Sequence, residues 1–268
     1  MSSETLYKSF VNAEKENRAA LLTYTVGGDP NKSISLEIFR EIAKSGVDII
    51  ECGLGHGANI GDGGAIQDST YRALSGGIKT DDVFDIIKDF KDESEIDVII
   101  MTYQNKIMSY GEEKFLEKCR ESQVSGIICV DWPWPLNLKF SDKCKKYSIT
   151  FIQLLCPTTN EERLNKILND AHDVVYYISM LSTTGQKLKV SSNEIIERFQ
   201  LIKKLSPEKK CIIGFGITAD TINDFKKTDA CVVGSALCRE ISNSIDKELN
   251  PAINVGSMVR QLKDNLNS

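Results

Sequence analysis

Two carboxylates eleven positions apart, Glu51 and Asp62, have neighbours suited to proton transfer. Glu51 sits in the run Ile49-Ile50-Glu51-Cys52, and an apolar setting raises a carboxyl pKa toward that of a general acid–base working near neutral pH. Asp62 sits on a loop, in Gly61-Asp62-Gly63-Gly64. The competing reading of Glu51 is a salt bridge at a strand end. Two glycine clusters further along suit an anion. Gly214-Phe215-Gly216 and Gly234-Ser235-Ala236 let backbone N–H groups approach closely, and Gly234-Ser235 opens a helical pattern whose N-terminus favours phosphate. Turn glycines alone are the alternative. Three further features carry both a chemical and a structural reading. Tyr103 lines a site or simply ends a strand. His56 is an extra base or a solvated loop side chain. Trp132-Pro133-Trp134-Pro135 is a packed lid or a partner-facing aromatic patch.

Eight short apolar runs must position these groups: 19–24, 47–52, 97–101, 126–130, 150–155, 174–178, 210–214 and 230–233. Runs of this length, bounded by Gly, Asp or Pro, read as strands buried on both faces, as in parallel sheets. Between them lie helical patterns at 35–45, 80–90, 112–119, 161–168 and 193–205, with Thr80 and Ser192 as candidate caps. In the first, Leu36, Phe39, Ile42 and Ala43 share one face. Eightfold strand–helix alternation is the pattern of an α/β (β/α)8 TIM barrel with additional terminal helices, one of them near 254–266. A doubly wound sheet is the runner-up, but Gly27-Gly28-Asp29-Pro30 is not a dinucleotide fingerprint. No linker divides the chain, so a single domain over 1–268 is expected. Functional groups of such a barrel lie at the C-terminal ends of the strands. Glu51, Tyr103, Gly214 and Gly234 follow that rule, as does Ser182-Thr183-Thr184-Gly185-Gln186, read as a small polar loop.

The composition narrows the partners. A formal net charge of −5 without a basic stripe argues against nucleic acid and anionic membrane surfaces. No apolar run approaches the roughly 18 residues of a membrane span. The first ten residues lack a signal core. The eight cysteines form no C-x-x-C pair, and Cys52, Cys129, Cys156, Cys211 and Cys231 lie in or beside strand-like runs as buried thiols. A cytoplasmic protein without a structural metal is expected.

Taken together, these pieces resemble the tryptophan synthase alpha chain family. The family pattern I-E-L-G…A-D-G-P-x-I-Q stands here as Ile50-Glu51-Cys52-Gly53…Gly61-Asp62-Gly63-Gly64-Ala65-Ile66-Gln67. Gly28-Asp29-Pro30, Arg72-Ala73-Leu74, Met101-Thr102-Tyr103-x-Asn105, Pro157-Thr158-Thr159, Tyr176-Tyr177-x-Ser179, Thr184-Gly185, Gly214-Phe215-Gly216 and Val233-Gly234-Ser235-Ala236 follow in order. The resemblance implies a lyase that splits indole-3-glycerol phosphate into indole and glyceraldehyde 3-phosphate by a retro-aldol reaction, without metal or organic cofactor. It assigns Glu51 and Asp62 as the catalytic pair. Tyr103, Tyr176, Thr184 and Phe215 would bind substrate, and Gly185, Gly216, Gly234 and Ser235 would cradle the phosphate. It also implies a beta-chain partner carrying pyridoxal phosphate, in an alpha2beta2 tetramer.

The chain departs from the family in the loops. V-P-F-S-D-P after the second run is replaced by Leu54-Gly55-His56-Gly57-Ala58-Asn59, and residues 53–64 hold six glycines. Each Gly adds unfolded-state freedom of roughly 0.5–1 kcal/mol relative to Ala, so ordering this loop is unfavourable. V-P-D-L-P after the fourth run reads Cys129-Val130-Asp131-Trp132-Pro133. T-A-G-D-P near the first run reads Val26-Gly27-Gly28-Asp29-Pro30. Changes on the partner-facing side leave a second reading beside the working lyase: a weakly active or inactive regulatory subunit that binds the phosphate ligand and activates a beta chain. A third is another phosphate-handling barrel enzyme.

Overall fold

The computed structural model describes residues 2–183, 186–189, 191–214, 217–219 and 221–267. Its strands are β1 (Ala20–Val26), β2 (Ile49–Gly53), β3 (Asp97–Thr102), β4 (Gly126–Cys129), β5 (Thr150–Phe151), β6 (Gln153–Leu155), β7 (Val174–Ile178), β8 (Met180–Thr183), β9 (Gln186–Lys189), β10 (Lys210–Gly214) and β11 (Ala230–Val233). Nine of them form one parallel sheet in the order β5-β4-β3-β2-β1-β11-β10-β7-β6. The two end members are consecutive in the chain, separated only by Ile152, whose N–H donates to the Ile127 carbonyl at 2.8 Å. The broken fifth stave thus brings the sheet around into a (β/α)8 barrel of eight staves, at the positions of the eight apolar runs.

Side chains alternate between two apolar layers. Leu22, Tyr24, Ile49, Ile99, Tyr176 and Ile212 fill the barrel interior. Leu21, Ile50, Cys52, Ile100, Cys211 and Ile213 meet the surrounding helices. Burial on both faces is why the strands read as continuous apolar runs rather than alternating ones. Four of the five strand-associated cysteines are buried as expected, but Cys156 is exposed, because it follows the last residue of β6 and stands where the chain leaves the sheet. Cys119, Cys144 and Cys238, on helices, are buried as well.

The helical patterns are present with small shifts. The helix Lys32–Lys44 centres its buried face on Ile38, Phe39 and Ile42, leaving Leu36 and Ala43 at the margins. Caps fall one residue earlier than expected. Ser191, not Ser192, caps the helix Ser192–Leu205, its Oγ accepting from the Glu194 N–H at 3.3 Å while the Glu194 carboxylate accepts the Ser191 N–H at 2.8 Å. Lys79, not Thr80, stands at the cap position of Thr80–Lys91. Two helices lie outside the repeat. Ser2–Lys15 inserts Leu6, Phe10 and Ala13 against the inner core, and Pro251–Asn267 packs along Lys32–Lys44. The polar segment after β7 is not a plain loop: β8 and β9 pair antiparallel from Met180↔Lys189 to Thr183↔Gln186. Among the described residues no helix is long and apolar enough to cross a membrane.

His172 is a packing group at the barrel's flank. Its Nδ1 accepts the Phe151 N–H at 3.0 Å and its Nε2 lies 2.9 Å from Ser141 Oγ, so it stitches β5 to the helix Leu138–Lys146. Burial lowers its pKa to about 4. A histidine whose pKa falls on folding stabilises above its unfolded value, and that contribution is lost as the pH drops from about 6.5 toward 4. The urea midpoint of the wild type should therefore exceed that of His172→Gln at pH 7, and the margin should shrink steadily in measurements at pH 5.5 and 4.5.

Candidate active site

Glu51 is the central residue of β2, paired in register with Tyr24 of β1 and Ile99 of β3. It shares its facing with Ile49, so its carboxyl lies inside the barrel, 1% exposed, with Oε2 lacking any hydrogen-bond partner. Burial, followed by the charge of Asp62, raises its pKa to about 8. Among the described residues no ion pair involves Glu51, which removes the strand-end salt bridge as an account of it.

Asp62 approaches from the loop above, two residues before the helix Gly64–Ser75. Asn59 Nδ2 donates to its Oδ2 at 2.9 Å, and Gln67 Nε2 donates to its backbone carbonyl at 3.0 Å. Burial pushes its carboxyl up, while hydrogen bonds from Asn59 and Tyr103 and the charge of His56 act against the rise. Tyr103, directly after β3, is 2% exposed, and its hydroxyl accepts the Gly61 N–H at 3.2 Å. It therefore holds the loop at the residue next to Asp62. The His56 ring lies 5.2 Å from the Tyr103 ring and is half-buried, so it belongs to this cluster rather than to bulk solvent.

Two tyrosines line the interior beside Glu51. Tyr176, on β7, is buried, and burial together with Glu51 drives its hydroxyl well above the ordinary range. Tyr24 was not singled out by the sequence, where it merely ends an apolar run. It is 4% exposed, and burial, then Asp62, raises its pKa too. Both stay neutral donors at physiological pH. The register of Tyr24 opposite Glu51 is the signal that identifies it, and only the sheet reveals it. Each tyrosine lies against a glycine. A Cβ built on Gly53 would sit 2.2 Å from the Tyr24 hydroxyl, and one on Gly214 would sit 2.0 Å from the Tyr176 hydroxyl.

Gly234 and Ser235 stand at the N-terminus of the helix Ser235–Asp246, just beyond β11 and against the Tyr24 side chain. Free N–H groups at such an end favour an anion. Thr184, Gly185, Phe215 and Gly216 lie outside the described residues. The two tryptophans differ in setting, Trp132 packed inward and Trp134 half-buried. Trp132 is 8% exposed and stacks on Phe140 with ring centroids 5.0 Å apart. Trp134 is half-buried, its Nε1 donating to Asp170 at 2.8 Å beneath the Arg163 guanidinium. Leu136, two residues on, is an exposed large apolar side chain of that loop, at 71%.

A (β/α)8 barrel whose mouth brings Glu51 and Asp62 within electrostatic reach of each other has the architecture of a barrel enzyme. The family model for the tryptophan synthase alpha chain matches residues 10–267. The tryptophan synthase alpha chain of Pelagibacter ubique (strain HTCC1062) is 54% identical over 256 residues, covering 95% of this chain and 96% of that relative. The one from Prochlorococcus marinus subsp. pastoris is 34% identical over 247 residues, covering 90% and 87%. The crystal structure of the alpha chain from Legionella pneumophila superposes with a TM-score of 0.86 at 28% identity, covering 98% of this chain and 97% of its own. The chain belongs to the tryptophan synthase alpha chain family: it is a lyase with the alpha-subunit function in tryptophan biosynthesis.

The glycine contacts separate two kinds of position in residues 53–64. A Cβ on Gly57 would meet nothing within 4 Å, and its φ is not left-handed, whereas Gly53 faces Tyr24. Gly57→Ala should keep kcat within about twofold. Gly53→Ala should displace Tyr24, lowering stability by about 1–3 kcal/mol as overpacking does and kcat by tenfold or more. Urea unfolding and steady-state rates on the two variants check both.

Proposed function

We propose that the chain cleaves the carbon–carbon bond of indole-3-glycerol phosphate, releasing indole and glyceraldehyde 3-phosphate, with Glu51 and Asp62 as the catalytic pair. The observation that carries this reading is Glu51: a buried carboxyl without a counter-ion, its pKa about 8, is protonated at neutral pH and ready to act as an acid. Glu51 donates its proton to C3 of the indole ring. Asp62, as carboxylate, accepts the hydrogen bond of the ring N–H and stabilises the positive charge that forms there. The Glu51 carboxylate then takes the proton of the glycerol hydroxyl as the C–C bond breaks. The bonding electrons return to the ring, which leaves as indole, and the former alcohol carbon becomes the aldehyde. The proton gained at C3 equals the proton lost from oxygen, so Glu51 ends as it began.

Tyr24 and Tyr176 line the apolar wall for the ring, Tyr103 keeps the Asp62 loop in place, and Gly234 and Ser235 take the phosphate. Thr184 and Phe215 complete the substrate contacts in this reading, and Gly185 and Gly216 the phosphate cradle. No metal or organic cofactor on this chain enters the steps. The chain acts as a single barrel domain, residues 1–268, in the cytoplasm, with a beta chain that carries pyridoxal phosphate, in an alpha2beta2 tetramer. Ile60, 87% exposed on the β2 loop, and Leu136 on the β4 loop support the mouth face as the docking side.

The acid role fixes a pH profile. Glu51 must carry its proton when substrate binds, so kcat/KM should fall as the pH rises through about 8. Asp62 must be ionised, which sets the acidic limb above the usual carboxylate range. Glu51→Gln should lose about 10²–10⁴ in kcat and abolish the alkaline limb. Indole release by the chain alone, and then with a beta chain, tests the whole reading. No indole in either case, with a beta chain nonetheless accelerated, would install the regulatory subunit in its place.

A further inference from the structure

Gly28-Asp29-Pro30 and Arg72-Ala73-Leu74 take no part in the proposed chemistry, yet the fold brings them together. Asp29 lies on the loop after β1, and its side chain is wholly buried. A buried carboxylate must be compensated in full or it destabilises the fold. Arg72, on the helix Gly64–Ser75, donates Nε to Oδ1 at 2.9 Å and Nη2 to Oδ2 at 2.7 Å, a two-pronged grip. Ser69, one turn earlier on the same helix, donates to Oδ2 as well. The guanidinium has one more prong: its Nη1 donates to Ser242 Oγ at 2.7 Å, on the helix Ser235–Asp246. One side chain thereby ties three segments of the mouth.

The depth of the tie gives it a consequence. The first of these helices starts two residues after Asp62, and the second starts at the expected phosphate cradle. Arg72 lies eight residues into the one and Ser242 seven into the other. At 1.5 Å per residue both anchor points are about 10–12 Å below their helix N-termini. Two helices tied at matching depth present their N-termini at one spacing. A ligand that touches only the cradle is indifferent to that spacing, whereas one that spans cradle and carboxylates is not.

We propose that Arg72 is a positioning residue that holds the Asp62 helix and the phosphate-cradle helix in register, so that a substrate gripped at its phosphate end meets Asp62 and Glu51 at its ring end. The proposal rests on the indole-3-glycerol phosphate reading for its catalytic consequence, but not for its geometry. Arg72→Lys keeps a charge for Asp29 and removes both the fork and the reach to Ser242. Ser242→Ala leaves the ion pair intact and removes the inter-helix tie together with a 3.3 Å bond from Ser242 Oγ to the Cys238 carbonyl in its own helix. In the full chain, kcat/KM for indole release should fall at least tenfold in the first variant and about threefold in the second. The dissociation constant for inorganic phosphate should stay within twofold of wild type in both. Nitroxide labels at the exposed positions Asp68→Cys and Arg239→Cys, in a Cys156→Ser background, read the spacing without any reaction. A single narrow distance distribution is expected in wild type, broadened in both variants. An unchanged distribution overturns the proposal whatever the rates do, and so does a loss of phosphate affinity that parallels a lower melting temperature. A wild-type chain that releases no indole overturns the functional reading alone, and the distance distribution then decides the register by itself.

Discussion

A carboxyl without a counter-charge, Glu51 inside an apolar barrel, is the constraint around which the mouth is built. Ionising it there would mean holding a charge among Ile49, Ile99 and the faces of two tyrosines, so it keeps its proton until the pH reaches about 8. Three cations of the described framework are engaged elsewhere: Arg72 on Asp29, Arg18 on Asp48, Lys210 on Glu14 and Asp229. A lysine brought into the mouth to bind phosphate would lower the Glu51 pKa and spoil the acid. Helix N–H dipoles at Gly234 and Ser235 attract the same anion with only about half a unit charge. In the proposed reaction, dipoles rather than cations at the phosphate end suit the protonation state that Glu51 needs at the other.

How much of this was legible in the sequence depends on the range of the interaction involved. The eight staves were readable because burial on both faces leaves an unbroken apolar run, and that pattern is local. Glu51 was readable for the same reason, as a carboxylate flanked by Ile49, Ile50 and Cys52 inside such a run. Asp62 and Gly234 could be put near the mouth by the rule that barrel chemistry follows strand ends. Tyr24 was not readable, since its importance lies in a cross-strand register set by hydrogen bonds between distant segments. The partners of Arg72 were equally hidden, with Asp29 on one side and Ser242 170 positions away on the other. Trp132 could not be decided between a packed lid and a surface patch, and only the Phe140 ring across the loop shows that the indole turns inward. The β8–β9 pairing escaped notice because its polar residues resemble a loop in composition.

Five of the six glycines of residues 53–64 fall into two groups, while Gly55 stands in ordinary contact with Leu74 and Thr70. Gly53 is required by the Tyr24 hydroxyl and Gly61 approaches both Val130 and the Tyr103 hydroxyl, so these two shape the wall of the site. Gly57, Gly63 and Gly64 face open space. Of these only Gly57 lies between Glu51 and Asp62, and that segment is held by Tyr103 at Gly61 and by Asn59 at Asp62.

The seam between β1 and β11 has a consequence for the birth of the protein. Ala20 pairs with Ala230, 210 positions later in the chain. At about 5–20 residues per second a ribosome needs about 10–40 s to travel that distance, and throughout this time the outer edge of β1 is a bare ladder of amides and carbonyls. Premature stop codons or stalled translation before the last stave would release a chain with that sticky edge exposed, so quality control of this enzyme begins with finishing it.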